Sequence, residues 1–239
     1  MGLYLPRIRL AVASYVSDEG NGLLDGLLAY WAGNEASGDL LDLHSDGRTV
    51  TEQTAIGAAT GKVYATAREF NTAESDWFTR DDATLESLEA FTLALWEYPY
   101  AYSGVPGQYR SLVGNCQSSM WGKGFMTFHS WNGELLLTIS NGGGAEQFLQ
   151  WHCGVDPTEN QWHSLIFWHD PNADVGGVQH NDNDPVTEAH DGGIGGASTR
   201  DFCIGRYSSS HDQHYFDGLL GPIAIWNRVL SAAERASWY

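Results

Sequence analysis

From Leu23 onward the chain alternates short apolar runs with clusters of turn residues, and the runs follow a period of two. That is the pattern of half-buried strands joined by tight turns. In Phe91-Thr92-Leu93-Ala94-Leu95-Trp96, alternation puts Phe91, Leu93 and Leu95 on one face and Thr92, Ala94 and Trp96 on the other. Such a strand has a core side and a second packed side. The pattern predicts strands over Leu27–Trp31, Trp77–Arg80, Phe91–Tyr98, Tyr109–Gly114, Gly124–Ser130 and Glu134–Ser140. It predicts further strands over Gln147–Trp151, Trp162–Trp168, Asp201–Gly205 and Tyr215–Asn227. Asn132-Gly133, between two of these runs, predicts a hairpin turn with positive φ at both central positions. Only the tail predicts a helix. Ser231 followed by Glu234 makes a capping box, in which each side chain satisfies the other residue's free backbone donor. No boundary or repeat divides the body, so residues 23–239 read as one all-β domain preceded by an arm, residues 1–22.

Composition agrees. The chain carries 28 glycines, 10 tryptophans, 11 tyrosines and 9 phenylalanines, which suits many short strands with tight turns. Thirty acidic residues against 12 basic ones leave a net charge of −18. A surface of that sign repels phosphate backbones and anionic headgroups, which excludes nucleic-acid partners. Lys62 and Lys123 are the only lysines, so no polybasic patch exists. No apolar run approaches the roughly 20 residues of a bilayer span, which excludes membrane insertion. Three cysteines, Cys116, Cys153 and Cys203, leave room for one disulfide without specifying it.

In the arm, Arg7 and Arg9 precede a short apolar stretch, Leu10 to Val16, at the lower limit of a signal-peptide core. No small-x-small cleavage site follows before Asp18-Glu19. The arm therefore reads as retained, with Leu3, Leu5, Ile8, Leu10 and Val12 docking on its own domain or on a partner. Arg7 and Arg9 balance Asp18 and Glu19, so the acidity belongs to the body.

Two stretches carry a family resemblance. The first runs Gly26-Leu-Leu-Ala-Tyr30-Trp31, Asn34-Glu35-Ala-Ser-Gly38, Leu41-Asp42-Leu-His44, Thr60-Gly61-Lys62-Val63, Glu69-Phe70, Asp76-Trp77-Phe78 and Phe91–Trp96. The second runs from Phe216-Asp217-Gly218 through Ile225-Trp226-Asn227-Arg228 to Ser231-Ala-Ala-Glu234. In this order they resemble the laminin-G-like branch of the concanavalin A-like lectin/glucanase jelly rolls. The resemblance implies a two-sheet antiparallel jelly-roll sandwich with one short C-terminal helix, adjacent first and last strands, and binding loops at one rim. It also points to one structural Ca²⁺ near Glu35, Asp42 and Asp217. The sequence departs from the family at Gly221-Pro222, where relatives often carry an acidic pair, and that departure weakens a cation site.

Glucanases of this superfamily set carboxylates at alternate positions of one strand, as E-x-D-x-E, so that nucleophile and acid share a face about 5 Å apart. The chain contains no such triplet. Asp182-Asn183-Asp184 is followed by Pro185 and reads as a solvated loop; Glu86 and Glu89 read as a polar turn face. His211 and His214 have an H-x-x-H spacing without a third ligand. His163 and His169 share a strand face but stand too far apart to hold one ion, and read as exposed. Neither a G-x-S-x-G elbow nor a phosphate loop occurs. The sequence therefore names no catalytic residues.

Sugar rings stack on exposed aromatics. The loop aromatics Tyr100, Tyr102, Trp121, Trp131 and Tyr207 are the candidates, whereas Trp31, Trp96, Trp162 and Trp226 lie within strands and read as core. The expectation is a non-catalytic surface protein, such as a tailed-phage virion component or adhesin, that binds glycans. The arm would dock it to capsid or tail proteins or to copies of itself in a homo-oligomer. The alternatives are a secreted carbohydrate-binding module and, third, a divergent hydrolase.

Overall fold

The structure is a computed structural model that describes residues 22–44, 47–102, 104, 106–115, 123–141, 148–152, 156–189, 198, 200–207 and 214–239. Among the described residues, fifteen strands and two short helices run β1 Leu27–Trp31, β2 Thr51–Glu52, β3 Gly57–Thr60, β4 Thr66–Phe70, β5 Phe78–Arg80, α1 Ala83–Glu86, β6 Phe91–Pro99, β7 Arg110–Gly114 and β8 Lys123–His129. They continue with β9 Leu135–Asn141, β10 Phe148–His152, β11 His163–Asp170, β12 Val175–His180, β13 Val186–Ala189, β14 Phe202–Ile204, β15 Gly218–Trp226 and α2 Ala232–Trp238. One eight-stranded sheet has the order β13-β12-β11-β6-β15-β4-β3, with β1 also paired to β15. The other has seven strands in the order β10-β9-β8-β7-β14-β5-β2. Every pairing is antiparallel, and the first and last strands are neighbours, with Leu27 opposite Trp226.

The core lies between the sheets. Phe91, Leu93 and Leu95 of β6 meet Phe125, Leu137 and Ile139 of the opposing sheet there. Phe91 packs on Phe125 at 4.4 Å between centroids and Trp31 stacks on Phe202 at 5.6 Å. The even positions of β6 face the other way: Ala94 and Trp96 join Ile166, Trp168 and Trp226 under Trp238 and Leu230. Thus α2 covers the outer face of the eight-stranded sheet, which accounts for strands that are apolar on both sides. Its capping box is formed as the sequence predicts, with Ser231 Oγ accepting from Glu234 N and Glu234 accepting from Ser231 N.

The Gly221-Pro222 departure has a structural reason. β15 pairs with β4 through Leu220 and with β1 from Ile223, and its register against β6 shifts between those two residues. A proline without an N–H fits at that bulge, where ladder bonding is already interrupted. Gly33 lies against the same place, and a Cβ there would stand 2.8 Å from the Gly221 carbonyl oxygen.

Two expectations need correction. At Asn132-Gly133 only Gly133 takes positive φ, +95°. Gly133 N donates to Ser130 O and Ser130 N donates to Glu134 O, which makes a longer loop with a glycine bulge rather than a two-residue turn. His163 and His169 are buried, not exposed, at 4% and 0% relative exposure, because their strand face is the core face. Cys203 is buried, with its Sγ 3.4 Å from the Asp201 carbonyl; Cys116 and Cys153 fall outside the described residues, as do most of the arm and its Leu3, Leu5, Ile8, Leu10 and Val12. Among the described residues no helix is long and apolar enough to cross a membrane.

Candidate functional site

Three loops at one rim of the sandwich build two adjoining pockets. They are the β4–β5 loop from Asn71 to Asp76, the β6–β7 connection through Tyr100 and Gly107 to Tyr109, and the approach to β15 from His214 to Asp217. The first pocket, about 450 Å³, is lined by Gly57, Glu69, Asn71, Glu74, Asp76, Tyr100 and Asp217 among others. The second, about 320 Å³, is lined by Thr72, Gly107, Gln108, Tyr109, Arg110, His214 and Tyr215. Asp217 and Thr72 join the two, because a backbone hydrogen bond links them and Arg110 faces the Asp217 carboxylate.

Local sequence explains the loop shapes. Asn71 Oδ1 accepts from Ala73 N at 2.9 Å, an Asx turn that folds the β4–β5 loop back on itself. Asp76, buried at 3% exposure, accepts from Asn71 N and Thr54 Oγ1, both at 2.8 Å, and closes that loop. Ser75 and His214 hold left-handed backbone at φ +59° and +61°, a conformation that costs free energy in non-glycine residues and that surrounding contacts must impose. For His214 those contacts are visible: Tyr109 N donates to its Nδ1 at 3.1 Å, Ser111 N donates to its carbonyl, and Tyr109 and Tyr207 pack edge-on to its ring.

Both pockets mix aromatic faces with hydrogen-bonding groups. Tyr100 donates from its hydroxyl to Glu69 Oε1 at 2.5 Å, and its amide donates to Asp217 O. Burial and the Glu69 carboxylate push the Tyr100 phenol above its ordinary range, so it stays a donor. Burial also raises the Asp217 carboxyl, opposed by Arg110 and the Thr72 amide. The Arg206 guanidinium stands over the Tyr215 and Trp77 rings, 5.4 and 4.4 Å from their centroids, a cation–π contact that helps hold the Tyr215 ring. Flat rings beside convergent polar groups suit a hydroxylated ligand with apolar ring faces.

The sequence-derived candidates divide. Tyr100 lines the groove, and Tyr207 supports it through His214. Tyr102 does not belong to it: its hydroxyl donates to Pro157 O and its ring packs on His129 at 4.9 Å. Trp131 is exposed, 40%, in the β8–β9 turn, apart from the groove linings. Trp121 lies outside the described residues. The Glu35, Asp42 and Asp217 set does not converge. Asp42 accepts from Tyr30 N, His44 N and Arg48 N, and Glu35 accepts from Leu41 N. Asp42 bridges to Trp31, which faces Ile223, and the strand from Ile223 back to Asp217 spans roughly 20 Å at ~3.3 Å per residue. Among the described residues no three His, Cys, Asp or Glu side chains group around a metal position. Sequence reasoning missed Glu69, Tyr109, Arg110, His214 and Tyr215 as site residues. Tyr109 and Tyr215 were assigned to strands, whereas β7 opens at Arg110 and β15 at Gly218, leaving both tyrosines in rim loops.

Similar proteins share this architecture. The structure resembles domain 4 of AbnA, a GH43 extracellular arabinanase from Geobacillus stearothermophilus solved in complex with arabinotriose. The identity is 16% and the TM-score 0.67, over 88% of this chain and 96% of that one. It resembles the CBM40 of a Ruminococcus gnavus IT-sialidase bound to α2,3-sialyllactose, with 16% identity and a TM-score of 0.53, over 65% of this chain and 85% of that one. It also resembles the binding domain of Paraclostridial Mosquitocidal Protein 1, with 14% identity and a TM-score of 0.69, over 90% of this chain and 52% of that one. No curated protein sequence matches the chain. A laminin-G-like family model, described as the concanavalin A-like lectin/glucanases superfamily, matches residues 71–234. With that match over most of its length and a two-sheet jelly roll to go with it, the chain belongs to the concanavalin A-like lectin/glucanases superfamily.

Proposed function

We propose that the chain is a non-catalytic glycan-binding module that holds its sugar in the rim groove formed by Tyr100, Tyr109, Tyr215, Arg110 and Asp217. The observation that carries this reading is the groove itself: two adjoining pockets of about 450 and 320 Å³ in which aromatic rings stand beside hydrogen-bonding side chains. Resemblance to the arabinanase domain and the sialidase module, each solved with an oligosaccharide, supports it. A groove flanked by Glu69, Glu74, Asp76 and Asp217 repels anionic sugars, with Arg110 the one arginine and no lysine among its lining residues. The preferred ligand is therefore a neutral oligosaccharide, of the arabinotriose kind rather than the sialyllactose kind. The module would work outside the cell or at a surface, where such glycans are displayed. Docking of the arm to a virion or other assembly, or to copies of the chain, is a separate proposal that rests on residues outside those described.

A glycan array probed with the full chain tests the reading. Binding to neutral oligosaccharides, reduced when Tyr100 or Tyr109 is replaced by alanine, supports it; an array with no signal, or signal confined to sialylated glycans, contradicts it.

A further inference from the structure

His214 lines the second pocket and holds its wall through a hydrogen bond that works in one direction only. The Tyr109 backbone N–H donates to His214 Nδ1 at 3.1 Å. A backbone amide nitrogen can only donate, so Nδ1 must carry a lone pair, and a neutral His214 keeps its proton on Nε2. The His214 carbonyl accepts from Ser111 N, also at 3.1 Å. The start of β7 and the residue before it are thus fastened to His214 at two points, one through the side chain and one through the main chain. The rings follow the same arrangement. His214 meets Tyr109 at 5.2 Å and Tyr207 at 5.6 Å between centroids, and Tyr109 stands edge-on to Phe128 at 5.0 Å. Left-handed backbone at His214, φ +61°, persists only while such contacts impose it.

We propose that His214 is a pH-operated latch on the second pocket, holding the Tyr109 wall in its binding position when neutral and releasing it when protonated at Nδ1. The latch rests on the glycan-binding reading of the groove and adds its regulation. A proton on Nδ1 converts the acceptor of the Tyr109 N–H into a second donor. Two donors 3.1 Å apart repel, so the Tyr109 amide must move away, and its ring leaves the position in which it lines the pocket. Histidine is the side chain whose charge ordinarily changes between about pH 5 and 8, so mild acidification is enough to open the latch. The sign follows from linkage: sugar favours the neutral ring, so affinity falls as pH falls, and bound sugar makes His214 harder to protonate. Among the described residues, the titratable and charged groups around the ring come from three segments. They are Tyr109 and Arg110 from the β6–β7 connection, Tyr207 and Arg206 beyond β14, and Tyr215 and Asp217 on its own segment. The two arginines oppose a further positive charge there and Asp217 favours it.

The test uses the full chain, and its first arm needs no sugar. NMR follows the Tyr109 amide and the His214 imidazole from pH 8.0 to 5.0. The expected result is one shared midpoint, with the Tyr109 amide losing its exchange protection on the acid side. In the second arm, the tightest-binding neutral oligosaccharide of the glycan array is titrated by calorimetry at pH 7.5 and 5.0. The native chain should bind at least tenfold more weakly at pH 5.0, whereas the affinity of His214→Asn should change less than twofold. Asparagine tolerates left-handed backbone, offers an acceptor oxygen in the manner of Nδ1 and does not titrate. Asp217, whose carboxyl burial raises, remains in that variant, so any pH dependence arising from it persists there. A Tyr109 amide indifferent to His214 protonation, equal affinity of the native chain at both pH values, or a native-like pH dependence in His214→Asn overturns the latch. Absence of any glycan binding contradicts the proposed function instead, and the NMR arm then decides the latch by itself.

Discussion

The Glu97 carboxylate grips the His129 ring across the interior of the sandwich, with its two oxygens 2.8 and 3.0 Å from Nε2 and both side chains at 0% exposure. Glu97 comes from β6 of one sheet and His129 from β8 of the other, so this polar contact ties the two layers together. His129 Nδ1 donates to the Gly133 carbonyl at 3.2 Å, which leaves neither ring nitrogen without a partner. Removing Glu97 leaves His129 Nε2 buried without its partner, and removing His129 leaves the Glu97 carboxylate buried without the imidazole. Glu97→Ala and His129→Ala should each destabilise the fold by about 3–5 kcal/mol, whereas replacing both with leucine should cost much less. Urea unfolding of the four proteins checks this; a double variant as unstable as the sum of the singles would refute it.

A second contact closes the C-terminal helix onto the start of the body. Arg228 makes a bidentate pair with Glu234, at 2.6 and 3.0 Å, and donates to the Gly22 and Asp25 carbonyls at 2.8 and 2.7 Å. The Arg228 hydrogen bond, helped by the Ser231 backbone, lowers the Glu234 carboxyl to about 2 from an ordinary 4.5. Because the folded value lies below the unfolded one, the stabilisation is complete above pH 4.5 and is lost as pH falls toward 2. Glu234→Gln should cost about 1–2 kcal/mol at pH 7 and nearly nothing at pH 2. Amide exchange of residues 22–28 and 231–239 at both pH values measures the difference.

Trp168 lies between Gly177 and Arg235. The Arg235 guanidinium stands 4.3 Å from the indole centroid on one side, and a Cβ on Gly177 would come within 2.1 Å of the ring. Gly177→Ala must therefore displace Trp168 from under α2, at a cost of about 1–3 kcal/mol. The expected signature is a lower Tm with altered tryptophan fluorescence; unchanged emission would show that the ring had not moved.

Strands with strong alternation were legible in the chain. β1, β6, β8, β9, β11 and β15 lie where the pattern puts them, as does α2, because each buries an apolar face and ends at turn residues. β2, β3, β4, β12 and β13 were not. Thr66-Ala-Arg-Glu-Phe70 buries Arg68, whose guanidinium pairs with Glu52 and donates to the Gly38 and Ile56 carbonyls, so a charged residue occupies a position that patterning reads as outside. Val175-Gly-Gly-Val178 has glycine where Trp168 needs space. The groove was half legible. Tyr100 stood out as a loop aromatic, but Tyr109 and Tyr215 were hidden at strand ends. His214 stood out for its spacing to His211, yet its role depends on a left-handed backbone and an aromatic cluster assembled from distant segments.

Glycan binding in the rim groove is the central claim. Calorimetry of the full chain with the best neutral oligosaccharide from the array measures it most directly, comparing the native protein with Tyr100→Ala, Tyr109→Ala and Trp131→Ala, each checked for an intact fold by thermal unfolding. The groove variants should bind at least about tenfold more weakly, a loss of about 1.4 kcal/mol or more, while Trp131→Ala binds as the native chain does. Loss of binding in Trp131→Ala with full binding in both groove variants would place the sugar elsewhere and contradict the account.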